Sequence, residues 1–385
     1  MSQIYDVVVI GAGSVGVPIA WALAEKKFKV AVVDAAASAG QGQNKAAIGG
    51  VRATHSDASK IWLCLESLEI FKNWEQIHGE DIGWRSGGYC FPCYSEKTEK
   101  DFRHLLGIQK SFGLNIDWVS PSTITSLIPG IETKGLRGGT FSPDDGYASP
   151  LLSCSAFYKY AKKLGVDFYF NEKVERFNKT TNAIESINTS HSEISAASFI
   201  IANGADARDL GASLGLDIPV YPDSHEAGIT EPVKRFFEPM VVDIREDKDS
   251  KNYYFYQNEH GQVIFCISPE PVMPGKNRFS TSVFLPQVAR RMISLFPRLA
   301  NIKVRRTWRG LYPMTPDGSP IISEVKEFNN LRLAVGMCGQ GYMLGPGIGR
   351  VFARWYSNEL NDRDRKILEK LTLYGDFSKG VEELK

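Results

Sequence analysis

The sequence predicts an α/β protein (α+β in detail) of two domains. A discontinuous Rossmann-like nucleotide-binding domain carries an inserted antiparallel-sheet domain. Three observations predict this. Residues 5–34 form a complete βαβ unit with a glycine fingerprint in its first turn. A second Gly-rich strand-to-helix turn lies far downstream at 336–347. Between them, residues 227–267 hold several strands in which aromatic and polar residues alternate.

The first unit starts with Tyr5 to Ile10, a short apolar block rich in valine that reads as a buried parallel strand. Gly11-Ala-Gly13-Ser14-Val15-Gly16 follows, then helical spacing of Val17, Ala20, Leu23 and Ala24, then the apolar strand Lys29 to Val33, which ends in Asp34. Gly11 permits the tight turn. Gly13 lets the backbone approach a pyrophosphate, whose charge sits at the helix N-terminus. Gly16 lets the helix pack closely on the strand. Asp34 stands 23 positions after Gly11 (34 − 11), where a carboxylate accepts from a ribose 2′-hydroxyl and disfavours a 2′-phosphate.

Residues 35–45 are small and polar, a loop. Ala46-Ala47-Ile48-Gly49-Gly50-Val51-Arg52 is then open to two readings. Its small residues would let backbone run against a flat ligand, or they form a flexible entry to the next helix. Helical spacing of Ile61, Leu65, Leu68, Phe71 and Trp74 follows. Residues 84–94 read as a strand of a different layer, 97–112 as a helix, 114–119 as a strand and 121–128 as a short helix stopped by Pro129-Gly130. Residues 138–147 read as a turn-rich connection and 150–164 as a helix. Strands follow at 167–170, 172–177, 183–189 and 192–199, and Phe199 to Ile201 runs as buried strand into the turn at Asn203-Gly204. Strands at 227–231, 239–244, 252–257 and 261–267 precede a helix at 286–296. The strand 331–335 leads to the second Gly-rich turn, whose helix is expected at 346–359, and a charged surface helix after 361. The nucleotide layer is thus expected in residues 1–80, 145–215 and 305–385, and the inserted layer in 81–144 and 216–304.

The 385 residues are 43% hydrophobic and 23% charged, with a net charge of +1. This balance points away from nucleic-acid and anionic-membrane partners. No run reaches the ~18 apolar residues of a membrane span. The first strand begins near residue 4, so no cleaved leader is expected, and a cytoplasmic location is. Six cysteines are too few for a disulfide scaffold. Cys90-Phe-Pro-Cys93 has no second CxxC to complete a zinc site, so no metal is expected. It reads as strand packing or an incidental disulfide.

Several segments together resemble one family, the FAD-dependent amine oxidoreductases of the D-amino acid oxidase superfamily. Within it the chain is most similar to sarcosine oxidase β chains, glycine oxidases and dye-linked proline dehydrogenase β chains. The marks are Gly11 to Gly16, Ala46 to Arg52, Arg85 to Tyr89, Phe199 to Gly204, Thr230 to Pro232, Trp308 to Gly318 and Gly336 to Pro346. The resemblance implies FAD bound extended. It assigns cofactor contacts to Gly11, Gly13, Ser14, Val15, Gly16, Asp34, Ala46, Ala47, Ile48, Gly49, Val174, Asn203, Gly204, Gly310, Tyr312, Gly339, Gln340, Gly341, Tyr342 and Met343. It also places the positive end of a helix opening at 345–349 near the flavin's electron-accepting edge. Monomeric sarcosine oxidases attach flavin to a cysteine at the position of Gly310, so non-covalent FAD is expected.

The implied reaction removes a hydride equivalent from the carbon beside a nitrogen and delivers it to flavin N5. The substrate is then a small amine or amino acid of the sarcosine, proline or glycine type. The usual carboxylate anchors are absent. Their matching positions hold His55 and Met343 (sarcosine oxidase pattern) or Tyr312 and Gly339 (glycine oxidase pattern). Arg52 or Arg309 is expected to take over, or the substrate is held differently. His225 either orients substrate or is a structural histidine. Tyr254 or Tyr256 either roofs the substrate pocket or packs the sheet. The strand 261–267 lacks the lysine that sarcosine oxidases place over the flavin, which favours a dehydrogenase over an oxidase. The competing readings are an FAD-dependent 2-hydroxy-acid or glycerol-phosphate dehydrogenase and an FAD-binding subunit without turnover. The electron acceptor stays open, as does assembly into a homo-oligomer or a hetero-oligomer with other subunits.

Overall fold

The computed structural model describes residues 4–245 and 247–378. The expected nucleotide-layer pieces include residues 1–3 and 379–385, which lie outside the described residues. The chain runs β1 (Ile4–Ile10), α1 (Gly16–Glu25), β2 (Val30–Asp34), β3 (Gly50–Val51) and α2 (Ala58–His78). Next come β4 (Tyr89–Cys93), α3 (Glu96–Ser111), β5 (Asp117–Val119), α4 (Pro121–Leu127), β6 (Gly138–Ser142) and β7 (Gly146–Tyr147). Then follow α5 (Pro150–Lys163), β8 (Asp167–Phe170), β9 (Val174–Lys179), β10 (Ile184–Thr189), β11 (Glu193–Ile201) and α6 (Ala207–Ser213). The second half holds β12 (Tyr221–Pro232), β13 (Met240–Asp243), β14 (Ser250–Gln257), β15 (Gln262–Pro269), α7 (Phe284–Leu295) and β16 (Val304–Met314). It ends with β17 (Ile321–Val325), β18 (Phe328–Val335), α8 (Gly341–Tyr356) and α9 (Asp362–Lys370).

The helices start where side chains satisfy their free N–H groups. Asp57, Ser95 and Ser149 accept from Lys60, Thr98 and Leu152 N–H at the starts of α2, α3 and α5. Gly79, with φ +70°, ends α2.

One eight-stranded sheet has the order β17-β18-β11-β1-β2-β8, with β10 and β9 branching from β11. Strands β18, β11, β1, β2 and β8 are parallel neighbours. Ile10, Asp34 and Ile201 therefore end on the same edge, where the strand order reverses about β1. That edge is where ligands settle in open α/β sheets. Helices α1, α2, α5 and α8 bury one face of this sheet through Val7, Val9, Trp21, Phe71 and Phe352. Gly16 is obligatory here, because a Cβ would sit 1.9 Å from Gly11 O.

The second eight-stranded sheet has the order β16-β12-β15-β14-β13-β4-β6-β5. Its two inserted pieces meet in a parallel pair, β13 with β4, while the other neighbours are antiparallel. Phe255, Phe265 and Phe296 fill the core on one face.

Three expectations are corrected. Residues 305–314 are expected in the nucleotide layer, but β16 pairs with β12 from Met314 to Val304 in the second sheet. Residues 138–147 are not merely turn-rich, since β6 lies between β4 and β5. The helix after the second Gly-rich turn, α8, starts at Gly341, so 345–349 lies inside it. Gly345 and Gly347 are packing positions: a Cβ on either would meet Ser14 O or Leu63 O at 1.8 and 2.1 Å. Cys90 and Cys93 are both free and buried in β4.

Candidate active site

A cavity of about 1100 Å³ lies between the two sheets. Usual small-ligand pockets span ~300–1,000 Å³, so it has room for a dinucleotide and a second molecule. The nucleotide layer contributes Gly11, Gly13, Ser14, Val15, Asp34, Val174, Asn203 and Gly204. Ala46, Ala47, Ile48 and Gly49 pass along it, and Gly339, Gln340, Gly341, Tyr342 and Met343 form the turn into α8. Gly310 and Tyr312 on β16 complete the run, with His225 from the neighbouring β12 and Tyr254 from β14. Gly16 does not line the cavity and acts beneath it.

Side chains of the second sheet fix the segment 46–50. Trp308 Nε1 donates to Ala46 O at 2.9 Å and the Tyr256 hydroxyl donates to Ile48 O at 2.5 Å. A Cβ on Gly50 would strike the Tyr89 hydroxyl. These bonds make 46–52 a held wall and settle the earlier choice between wall and flexible entry. They also divide the two tyrosines of β14, since Tyr256 holds this wall while Tyr254 faces the cavity.

At one end of the cavity the His225 and Tyr312 rings stack, with centroids 3.7 Å apart and planes inclined by 13°. The Tyr312 hydroxyl lies 2.7 Å from that of Tyr254. Cys266, opposite Tyr254 in the β14–β15 register, lines the same place. Burial pushes both phenols far above their usual range and the Cys266 thiol up to about 12. All three are therefore protonated donors at neutral pH.

Two expected site residues lie elsewhere. His55 is buried beside α2, where its Nε2 is 3.5 Å from Cys64 Sγ and its carbonyl accepts from Gln109. Arg309 projects from the opposite face of β16 and donates to Ser224 Oγ and Phe279 O. Strand alternation explains this, because Gly310 and Tyr312 face the cavity and Arg309 cannot. Arg52 does line the cavity and lies 5.8 Å from the Phe91 ring. Sequence reasoning missed Asp223, Asn252, Cys266 and Lys251, which also line it. Period-2 spacing from His225 and Tyr254 would have pointed to Asp223 and Asn252. Lys251 is largely exposed and pairs with Glu270 at 3.1 Å.

The comparisons agree with this geometry. The description "FAD dependent oxidoreductase" matches residues 6–355. The chain belongs to the FAD-dependent oxidoreductase family. It is 26% identical over 367 residues to glycine oxidase of Bacillus licheniformis, covering 92% of this chain and 93% of that one. It is 24% identical to 4-methylaminobutanoate oxidase (formaldehyde-forming) of Paenarthrobacter nicotinovorans, covering 90% of this chain but only 43% of that relative's length. Among solved structures, L-proline dehydrogenase from P. horikoshii superposes with a TM-score of 0.88 and 28% identity, covering 94% of this chain and 96% of that one. Such relatives make the chain an FAD-dependent amine or amino-acid oxidoreductase.

The residues present fit FAD. Asn203 Oδ1 is buried without a partner beside the fingerprint. The Asp34 carboxylate accepts from Ala12 and Ala36 N–H at 2.6 and 2.7 Å. Each of its oxygens keeps a further acceptor position for a ribose hydroxyl. The N-terminal turn of α8, at Gly341 to Met343, lines the cavity with its free N–H groups and positive dipole end. Among the described residues no helix is long and apolar enough to cross a membrane. No group of three or more His, Cys, Asp or Glu among them could hold a metal ion.

Proposed function

We propose that this FAD-dependent enzyme oxidises the carbon–nitrogen bond of a secondary amine or small amino acid of the proline, sarcosine or glycine type. The observation that carries the reading is the convergence of His225, Tyr312 and Tyr254 on one end of a dinucleotide-sized cavity. Bound FAD supplies the chemistry by accepting a hydride equivalent at N5 from the carbon beside the nitrogen. The chain's own part is to orient the substrate and exclude water. The Tyr254 and Tyr312 hydroxyls offer neutral donors or acceptors to the substrate, and Arg52 offers a cation to a carboxylate. Gly310 offers no side chain for covalent attachment, so the cofactor is held non-covalently. The resemblance of the chain to glycine oxidase and L-proline dehydrogenase supports this substrate class.

We further read the enzyme as a dehydrogenase. Lys251 stands at the exposed mouth in an ion pair rather than over the cavity floor, and β15 carries no lysine. The test is anaerobic mixing of the purified holoenzyme with proline, sarcosine, glycine, a 2-hydroxy acid and glycerol phosphate in turn. Bleaching of the visible flavin band by at least one amine is expected. Bleaching by the hydroxy acid or the phosphate alone would replace the amine reading, and bleaching by none would indicate a subunit without turnover. Repeating the reaction in air and with an artificial dye separates oxidase from dehydrogenase.

A further inference from the structure

Asp223 is a buried carboxylate with no lysine or arginine of the described residues in ion-pair reach, and His225 pairs with it only when protonated. It sits on β12 two residues before His225, so both side chains point to the same face of the strand. Both line the cavity. The residue is 8% exposed, and Oδ1 is buried without a hydrogen-bond partner. Its nearest charged group is the His225 ring, whose Nε2 lies 3.2 Å from Oδ1 without hydrogen-bond alignment. A buried carboxylate is costly unless a counter-charge accompanies it. Two other buried carboxylates have one built in: Asp243 pairs with Arg245 and Arg291, and Asp364 pairs with Arg354.

We propose that the counter-charge of Asp223 is the ligand, and that Asp223 is the specificity-determining residue that receives the substrate's ammonium group. The inference rests on the amine reading above and deepens it. The anchors that relatives direct at a substrate carboxylate are replaced here by His55, Met343, Tyr312 and Gly339, and Arg309 is turned away from the cavity. Arg52 is left on the cavity wall for a carboxylate, and recognition of the substrate's nitrogen falls to Asp223. Asp223 Oδ1 accepts a charge-assisted N–H bond from the cationic amine and takes up that proton before hydride leaves the neighbouring carbon, so the nitrogen reacts neutral, and the stacked ring of Tyr312 beside it covers the adjoining carbon skeleton. Amines without any carboxylate then belong to the substrate class, and anionic ligands without nitrogen do not.

The experiment uses two probes of one shape on the FAD-loaded protein: pyrrolidine, which has nitrogen and no carboxylate, and cyclopentanecarboxylate, which has carboxylate and no nitrogen. Binding is read from the shift of the visible flavin band under anaerobic conditions. In D223N pyrrolidine should bind about tenfold or more weakly, the loss expected for one charge-assisted bond. Cyclopentanecarboxylate should bind equally or more tightly, because a like charge has been removed. D223E, which restores the charge, should recover pyrrolidine binding. Parallel weakening of both probes would reduce Asp223 to a structural group and overturn the proposal. Unchanged pyrrolidine binding in D223N, or no pyrrolidine binding by the wild type, also overturns it. Flavin reduction of the wild type by amines reports on the parent reading separately.

Discussion

The His225 ring lies flat on the Tyr312 ring, 3.7 Å away, and the Tyr312 hydroxyl reaches the Tyr254 hydroxyl at 2.7 Å. Three strands of one sheet, β16, β12 and β14, thus build one wall, with β15 between the last two. The stack sets the position of the imidazole, and the hydroxyl pair sets that of the phenols.

Tyr312→Phe keeps the ring under His225 and deletes the hydroxyl. The buried Tyr254 hydroxyl then loses a partner, at a cost of about 1–2 kcal/mol. The expected result is a roughly tenfold fall in the rate of anaerobic flavin reduction over substrate affinity. Tyr312→Leu removes the stack as well and should lose more. Equal losses in the two variants would show that the stack contributes nothing.

Gly16→Val should abolish cofactor retention. Its Cβ would overlap Gly11 O at 1.9 Å, and the backbone of the fingerprint turn would have to move. Flavin absorbance per chain after gel filtration measures this. Gly13→Ala is the control, because a Cβ there meets nothing within 4 Å. It should cost cofactor affinity while leaving the fold intact.

Arg309 and Arg52 should separate cleanly. Arg309→Met breaks buried bonds to Ser224 and Phe279. The expected effect is a loss of about 2–4 kcal/mol of stability, with the affinity for substrate little changed. Arg52→Met, at a cavity-lining position, should raise KM for carboxylate-bearing substrates. Thermal unfolding and steady-state kinetics on both variants check the assignment.

Asp145 carries a pH dependence. It is buried and accepts from Ala53 N–H at 2.9 Å, and burial raises its carboxyl from 3.8 to about 6. Between those values the folded chain holds the proton more than the unfolded chain does. Stability therefore falls as pH rises from about 4 through about 6. Asp145→Asn keeps an acceptor for Ala53 and removes the titration. The Tm of the variant should lose that slope and exceed the wild type near neutral pH, by the equivalent of roughly 3 kcal/mol. A variant that keeps the wild-type slope would assign the titration to another group.

The cofactor end was legible because its chemistry is local. Gly11, Gly13, Gly16 and Asp34 fall within one βαβ unit, whose spacing follows from helix pitch and strand length. The run 46–52 was ambiguous in sequence, and bonds from Trp308 and Tyr256 decide it. Strand β6 was hidden because Gly138, Gly139 and Pro143 mimic a loop. Strand β16 was placed in the wrong layer because its partner, β12, lies some eighty residues away.

The sequence by itself determined the nucleotide fingerprint and the alternation of the β14 and β15 strands. Each of these is written in residues within one element or one motif. Only the tertiary structure decided that Arg309 points away while Asp223 points in, that Tyr256 holds the wall while Tyr254 faces the cavity, and that His55 belongs to the core. A side chain's face follows from strand register, and register between distant strands is set by long-range pairing that no local pattern records.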